Sequence, residues 1–123
     1  MDVENPFFMR AKRLSGHATY DGTTKFFKRA IGEGDADDLD VHPGNFRTPL
    51  NSDLKLSSLG IGTYMGDPDD LTDFYMYDAI KQSVLSGGIN HIDTAPNYRY
   101  MKSEKTVGKI LTSLENKYQI DRS

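Results

Sequence analysis

Asp93 and Tyr98 are the residues of this chain best placed to do proton chemistry. They belong to the stretch Gly88-Ile89-Asn90-His91-Ile92-Asp93-Thr94-Ala95-Pro96-Asn97-Tyr98. Ile89 to Asp93 reads as a short buried strand, and Thr94 to Lys102 as the loop at its C-terminal end. Folds that alternate strand and helix keep their reactive groups at that end of parallel strands. A carboxylate and a phenol in one such loop suggest acid–base chemistry. Each also has a plainer reading: Asp93 as a hydrogen-bond acceptor or cap after a strand, Tyr98 as a loop aromatic. A second signal, Leu59-Gly60-Ile61-Gly62-Thr63-Tyr64, lies one strand-plus-helix period upstream. Glycines inside a strand mark close approach of another backbone or a ligand. The alternative is that Gly60 and Gly62 only make room for bulky neighbours.

Other reactive side chains form no such pattern. His17 and His42 lack partners at metal-ligand spacing and read as surface or packing residues. Gly32 to Asp40 is rich in carboxylates, but it lacks the central glycine and closing glutamate of a helix-loop-helix calcium site. It reads as a solvated loop.

The elements that must position Asp93 and Tyr98 follow from periodicity. Phe74, Tyr77, Ile80, Val84 and Leu85 fall on one helical face, with Asp73, Asp78, Lys81 and Gln82 toward water. Asp67 is the expected N-cap of this helix, with Pro68 in its first position. Gly87-Gly88 ends it. Ser103 is the expected N-cap of a second helix, running to about Lys117, in which Val107, Ile110, Leu111 and Leu114 recur at helical spacing. Ser58 to Tyr64 reads as a strand with Leu59, Ile61 and Thr63 on one face. Leu50, Leu54 and Leu56 around the Asn51-Ser52-Asp53 turn suggest a small hairpin before it. The order hairpin, strand, helix, strand, helix implies a parallel sheet with right-handed crossovers. Upstream, residues 1–49 read as an extension, largely loop. It holds a short helix near Thr24 to Ile31, with Phe26, Phe27 and Ala30 as its apolar stripe and Lys25, Lys28 and Arg29 in water, and a turn at His42-Pro43-Gly44-Asn45. Residues 50–123 form the α/β part.

Composition removes several classes of function. The chain has 123 residues, enough for one domain, and no apolar run near the roughly 18 residues of a membrane span. A net charge of −3 gives no electrostatic case for nucleic acid. With no cysteine, disulfides and thiolate chemistry are excluded. Cytoplasmic residence is the expectation. Arg10, Lys12, Arg13, Lys25, Lys28 and Arg29 leave an organelle such as the mitochondrion as the alternative, against which Asp2, Glu4 and Asp21 weigh.

Three short motifs together resemble the N-terminal portion of the aldo-keto reductase family: Leu59-Gly60-Ile61-Gly62-Thr63; Gly88-Ile89-Asn90 running into Asp93-Thr94-Ala95 and Tyr98; and Ser103-Glu104 with Gly108. His17 to Thr23 (HATYDGT) more weakly resembles the leader of some members, and Asn97-Tyr98-Arg99 one branch of the family. His91 stands where a hydrophobic strand residue is usual. The resemblance implies a (β/α)₈ TIM barrel that moves hydride between NADPH and an aldehyde or ketone. Tyr98 would then be the general acid, Asp93 would hold a lysine that lowers the phenol's pKa, and Gly62, Thr63, Tyr64 and Asp93 would lie near the cofactor. That lysine and a catalytic histidine come from later strands in the family. The chain is therefore expected to be an incomplete barrel, a hairpin followed by two of eight strand–helix units, unable to reduce a carbonyl or hold NADPH by itself. Its expected partner is the remainder of the barrel, in the same or another polypeptide. The alternatives are a non-catalytic, reductase-derived structural subunit of a larger assembly and a self-standing α/β binding module.

Overall fold

The computed structural model describes residues 14–34 and 39–122. Helix α1 spans Tyr20–Ala30 and is followed by a 3₁₀ turn at Pro43–Asn45. Strands β1 (Phe46–Arg47) and β2 (Leu56–Ser57) pair antiparallel in a hairpin around the Asn51-Ser52-Asp53 turn, but its first strand lies in the segment expected to be loop, and Leu50 and Leu54 are outside both strands. Then come β3 (Ile61–Gly62), α2 (Asp70–Leu85), β4 (Ile92–Asp93) and α3 (Lys102–Tyr118). β3 and β4 pair parallel, Ile61 opposite Ile92 and Gly62 opposite Asp93. This is the strand–helix–strand unit that the alternating pattern implied. Among the described residues the sheets are two separate two-stranded ladders, and no barrel closes.

The core lies between α2 and α3. Ile80 and Val84 pack on Val107, Ile110 and Leu114, with Phe26, Ile61, Tyr77 and Ile92 around them. Each fully buried aliphatic side chain contributes roughly 1.5–3 kcal/mol, so these five residues hold the two helices together. Helix α1 joins through Ala30, which is fully buried, and through Phe27, whose ring meets Phe46 edge-on at 5.1 Å. Gly87 ends α2 at φ +81°, and a side chain there would also collide with Ala30. Asn90 ties the hairpin to β4: its Oδ1 accepts from the Ser57 N–H at 2.9 Å and its Nδ2 donates to Lys55 O at 2.8 Å.

Several local expectations need correction. The N-cap of α2 is Asp69, not Asp67: its Oδ1 accepts from the Thr72 N–H at 2.8 Å, and Pro68 lies before the helix. Phe74 is 65% exposed rather than part of the core face. Asp73 does not simply face water but binds a buried arginine. Ser103 is not the cap of α3. It lies inside the helix, fully buried, and donates to Thr63 O at 2.5 Å. The strand predicted over Ser58 to Tyr64 pairs only at Ile61–Gly62, and Leu59 turns out to solvent at 69% exposure. Helix α1 starts four residues earlier than predicted because Thr19 caps it, accepting from the Gly22 N–H at 2.9 Å. Arg29 reaches back to donate to Leu85 O at 3.3 Å instead of lying in water. Asp35, Asp37 and Asp38 of the carboxylate-rich loop lie outside the described residues.

Candidate functional site

Parallel pairing of β3 with β4 brings the two sequence motifs side by side. Gly62 and Asp93 are register partners. Thr63 follows, fully buried, and its Oγ1 donates to Asp93 O at 2.8 Å. The next residue, Tyr64, presents its ring edge-on to Tyr98, with centroids 5.1 Å apart and planes at 79°. The Tyr98 hydroxyl donates to Asp93 Oδ2 at 3.2 Å. Gly62, Thr63, Tyr64, Asp93 and Tyr98 are thus assembled at the C-terminal ends of two parallel strands.

The two strand glycines do different work. At Gly60 a Cβ would run into the His91 ring, which packs there while Nε2 meets Ser57 O at 3.1 Å. That explains a histidine where an apolar strand residue is usual, and it fits the reading of Gly60 as room for a bulky neighbour. At Gly62 a Cβ would meet nothing within 4 Å. Its face is open.

The electrostatics run in one direction. The hydrogen bond to Asp93, and then the charge of that carboxylate, raise the Tyr98 phenol above its usual pKa; slight desolvation and Tyr64 add to the effect. A hydrogen-bonded anion favours the neutral phenol because phenolate beside carboxylate is repelled. Lys102 does not reverse this. Its ammonium is bound to Asp70 at 3.2 Å and Asp73 at 3.4 Å, and Asp70 chiefly raises its pKa. Among the described residues, the charged group acting on Tyr98 is Asp93.

A residue overlooked as a functional group holds the tyrosine loop. Arg99 has φ +51°, Tyr100 +54° and Met101 +70°, three consecutive non-glycine residues in the left-handed region. At roughly 1–2 kcal/mol each, that conformation costs about 3–6 kcal/mol. The Arg99 side chain, almost wholly buried, makes a 2.6 Å ion pair with Asp73 and donates to Asp67 O at 2.9 Å and Asp69 O at 3.3 Å. In sequence the only hint was an arginine shortly after a strand, downstream of a turn crowded with aspartates. Beside it Tyr64, Met65, Gly66, Pro68, Asn97 and Tyr100 line an open cleft of about 300 Å³.

The model of the Aldo/keto reductase family matches the chain over residues 58–121, more than half its length and all of the β3–α2–β4–α3 unit. The chain belongs to the aldo/keto reductase family. No curated protein and no solved structure matches it. The family is one of TIM-barrel oxidoreductases that generally use NADP(H), and the matched segment contains each of the five residues gathered at the strand ends. No described helix is long and apolar enough to cross a membrane. No group of three or more potential metal ligands converges among the described residues.

Proposed function

We propose that this chain supplies the proton-donor half of an NADPH-dependent carbonyl reduction, with an aldehyde or ketone as substrate. The observation that carries it is the Tyr98–Asp93 hydrogen bond at the end of a parallel strand, in a member of a family of reductases. Tyr98 donates its hydroxyl proton to the carbonyl oxygen and is left as phenolate, to be reprotonated from solvent. Bound NADPH supplies the hydride that reduces the carbonyl carbon. The open face at Gly62, where no atom stands within 4 Å of an added Cβ, fits a flat ring approaching the strand ends. Tyr64 and the backbone at Thr63 border that space, while Asp93 is set beside it to hold a cation against Tyr98.

The cation decides competence. A phenol with a usual pKa near 10 works as acid–base near neutrality only if that value falls, and here it is raised. A lysine delivered beside Asp93 and Tyr98 by further barrel strands, of this polypeptide or another, would reverse the sign. Without it the half-site is not competent. Native assembly and purified chain are to be assayed for loss of NADPH absorbance with an aldehyde, each with and without Tyr98→Phe. The expected result is turnover in the native assembly alone, reduced about 10²–10⁴-fold by the substitution with NADPH affinity unchanged. Equal turnover in Tyr98→Phe would remove this tyrosine from the role.

A second reading rests on α2, where Leu71, Phe74 and Tyr75 are each more than 60% exposed. Such a face suits a non-catalytic structural subunit. A native assembly that shields these residues yet turns over no carbonyl with NADPH would favour it.

A further inference from the structure

We propose that Arg99 is a positioning residue: its clamp on the first turn of α2 holds the Tyr98 phenol against Asp93. This rests on the assignment of Tyr98 as proton donor. Tyr98 sits between β4, which ends at Asp93, and a run of three left-handed residues that an L-amino-acid chain does not adopt by preference. Residues in such regions persist only where their surroundings over-determine them. Here, beside the loop's own backbone hydrogen bonds, the Arg99 side chain ties it to α2. The Arg99 fork spans the Asp67 and Asp69 carbonyls and the Asp73 carboxylate, which precede it in the chain by 32, 30 and 26 residues. Its Nη1 also lies 3.5 Å from Ser103 Oγ, and that hydroxyl is bonded to Thr63 O. Thr63 in turn donates to the backbone of Asp93. The clamp therefore reaches both partners of the proton-donor pair, Tyr98 through the adjacent peptide and Asp93 through Ser103 and Thr63. A lysine cannot reproduce it, because an ammonium presents a point charge rather than a planar fork. The nearest cation, Lys102, is held outside by Asp70 and the other oxygen of Asp73.

The test reads Tyr98 itself in the full chain. Titration of its ring carbon shift by NMR, assigned with Tyr98→Phe, reports whether the phenol still faces Asp93. Arg99→Ala should lower the phenol's apparent pKa, raising its acid dissociation constant about threefold or more. It should also erase Tyr64–Tyr98 ring contacts while the α2–α3 core signals persist. Arg99→Lys should recover less than half of that change. If a folded Arg99→Ala titrates as wild type does, the clamp has no hold on Tyr98 and the inference fails. Should Arg99→Ala not fold, Asp73→Asn decides in the same way: a smaller change of the same sign supports the clamp, and an unaltered titration overturns it. None of these readouts uses turnover. Failure of the proton-donor assignment, seen as undiminished turnover in Tyr98→Phe, is thereby distinguished from failure of the clamp.

Discussion

Removing the carboxylate of Asp73 should destabilise the protein far more than removing that of Asp70, although both lie in the first turn of α2 and both bind Lys102. The difference is what each leaves behind. Asp73 pairs at 2.6 Å with Arg99, whose side chain is 1% exposed. Breaking a buried pair by deleting one partner typically costs about 3–5 kcal/mol, because a charge is stranded. Two features reduce that figure here: Asp73 keeps 26% of its side-chain exposure, and Arg99 retains the Asp67 and Asp69 carbonyls. We expect about 2–3 kcal/mol for Asp73→Ala. Asp70 is fully exposed, so Asp70→Ala should leave stability nearly unchanged. Urea unfolding of the full chain, followed by circular dichroism, checks both. With a slope of about 1–3 kcal/mol per molar urea for a chain of this size, the midpoint should fall by roughly 0.7–3 M in the first variant and barely move in the second. Equal midpoints for Asp73→Ala and Asp70→Ala would show that Arg99 does not depend on its partner and would refute the reasoning.

Gly60→Ala should cost about 0.5–1.5 kcal/mol, because the exposed His91 ring must turn off its preferred rotamer to clear the new methyl. Adding His91→Ala should recover part of that loss, a non-additivity measurable as a urea-midpoint cycle. Stability should also have two pH limbs. Asp69 has a lowered pKa because it caps Thr72; its contribution is present above about pH 4 and disappears as pH falls through the folded-state value. Tyr98 and Lys102 have raised values, owing to Asp93 and Asp70 respectively. Their contributions are present below about pH 10 and disappear as pH rises through the folded-state values. Asp69→Asn should flatten the acid limb of a melting-temperature profile and leave the alkaline limb in place.

Much of this fold was legible because its helices repeat their apolar residues. Ile80, Val84, Val107, Ile110 and Leu114 are both the periodic positions and the buried ones. The pairing of Asp93 with Tyr98 was legible from their places at a strand end and in the following loop. What escaped was decided by contacts across many residues. Asp67 and Asp69 both satisfy the local rule for an N-cap. The cap falls on Asp69, while Arg99, some thirty residues on, binds both backbone carbonyls. Ser103 satisfies the same rule before α3, yet its hydroxyl is drawn inward to Thr63, just after β3. Arg99 itself carries no periodic signature, since a single buried arginine in a loop is recognisable only once its acceptors are placed. Gly60 leaves the room that the His91 ring occupies, a steric condition that spans 31 residues of sequence.

The most direct measurement is the pH titration of the Tyr98 phenol in the purified chain, compared with Asp93→Asn. With a carboxylate as its charged neighbour, Tyr98 should titrate above the usual phenol value, and the substitution should bring it back toward about 10. A phenol already titrating below 10 in the wild-type chain would mean a cation is in place, and would contradict the account of a half-site awaiting one.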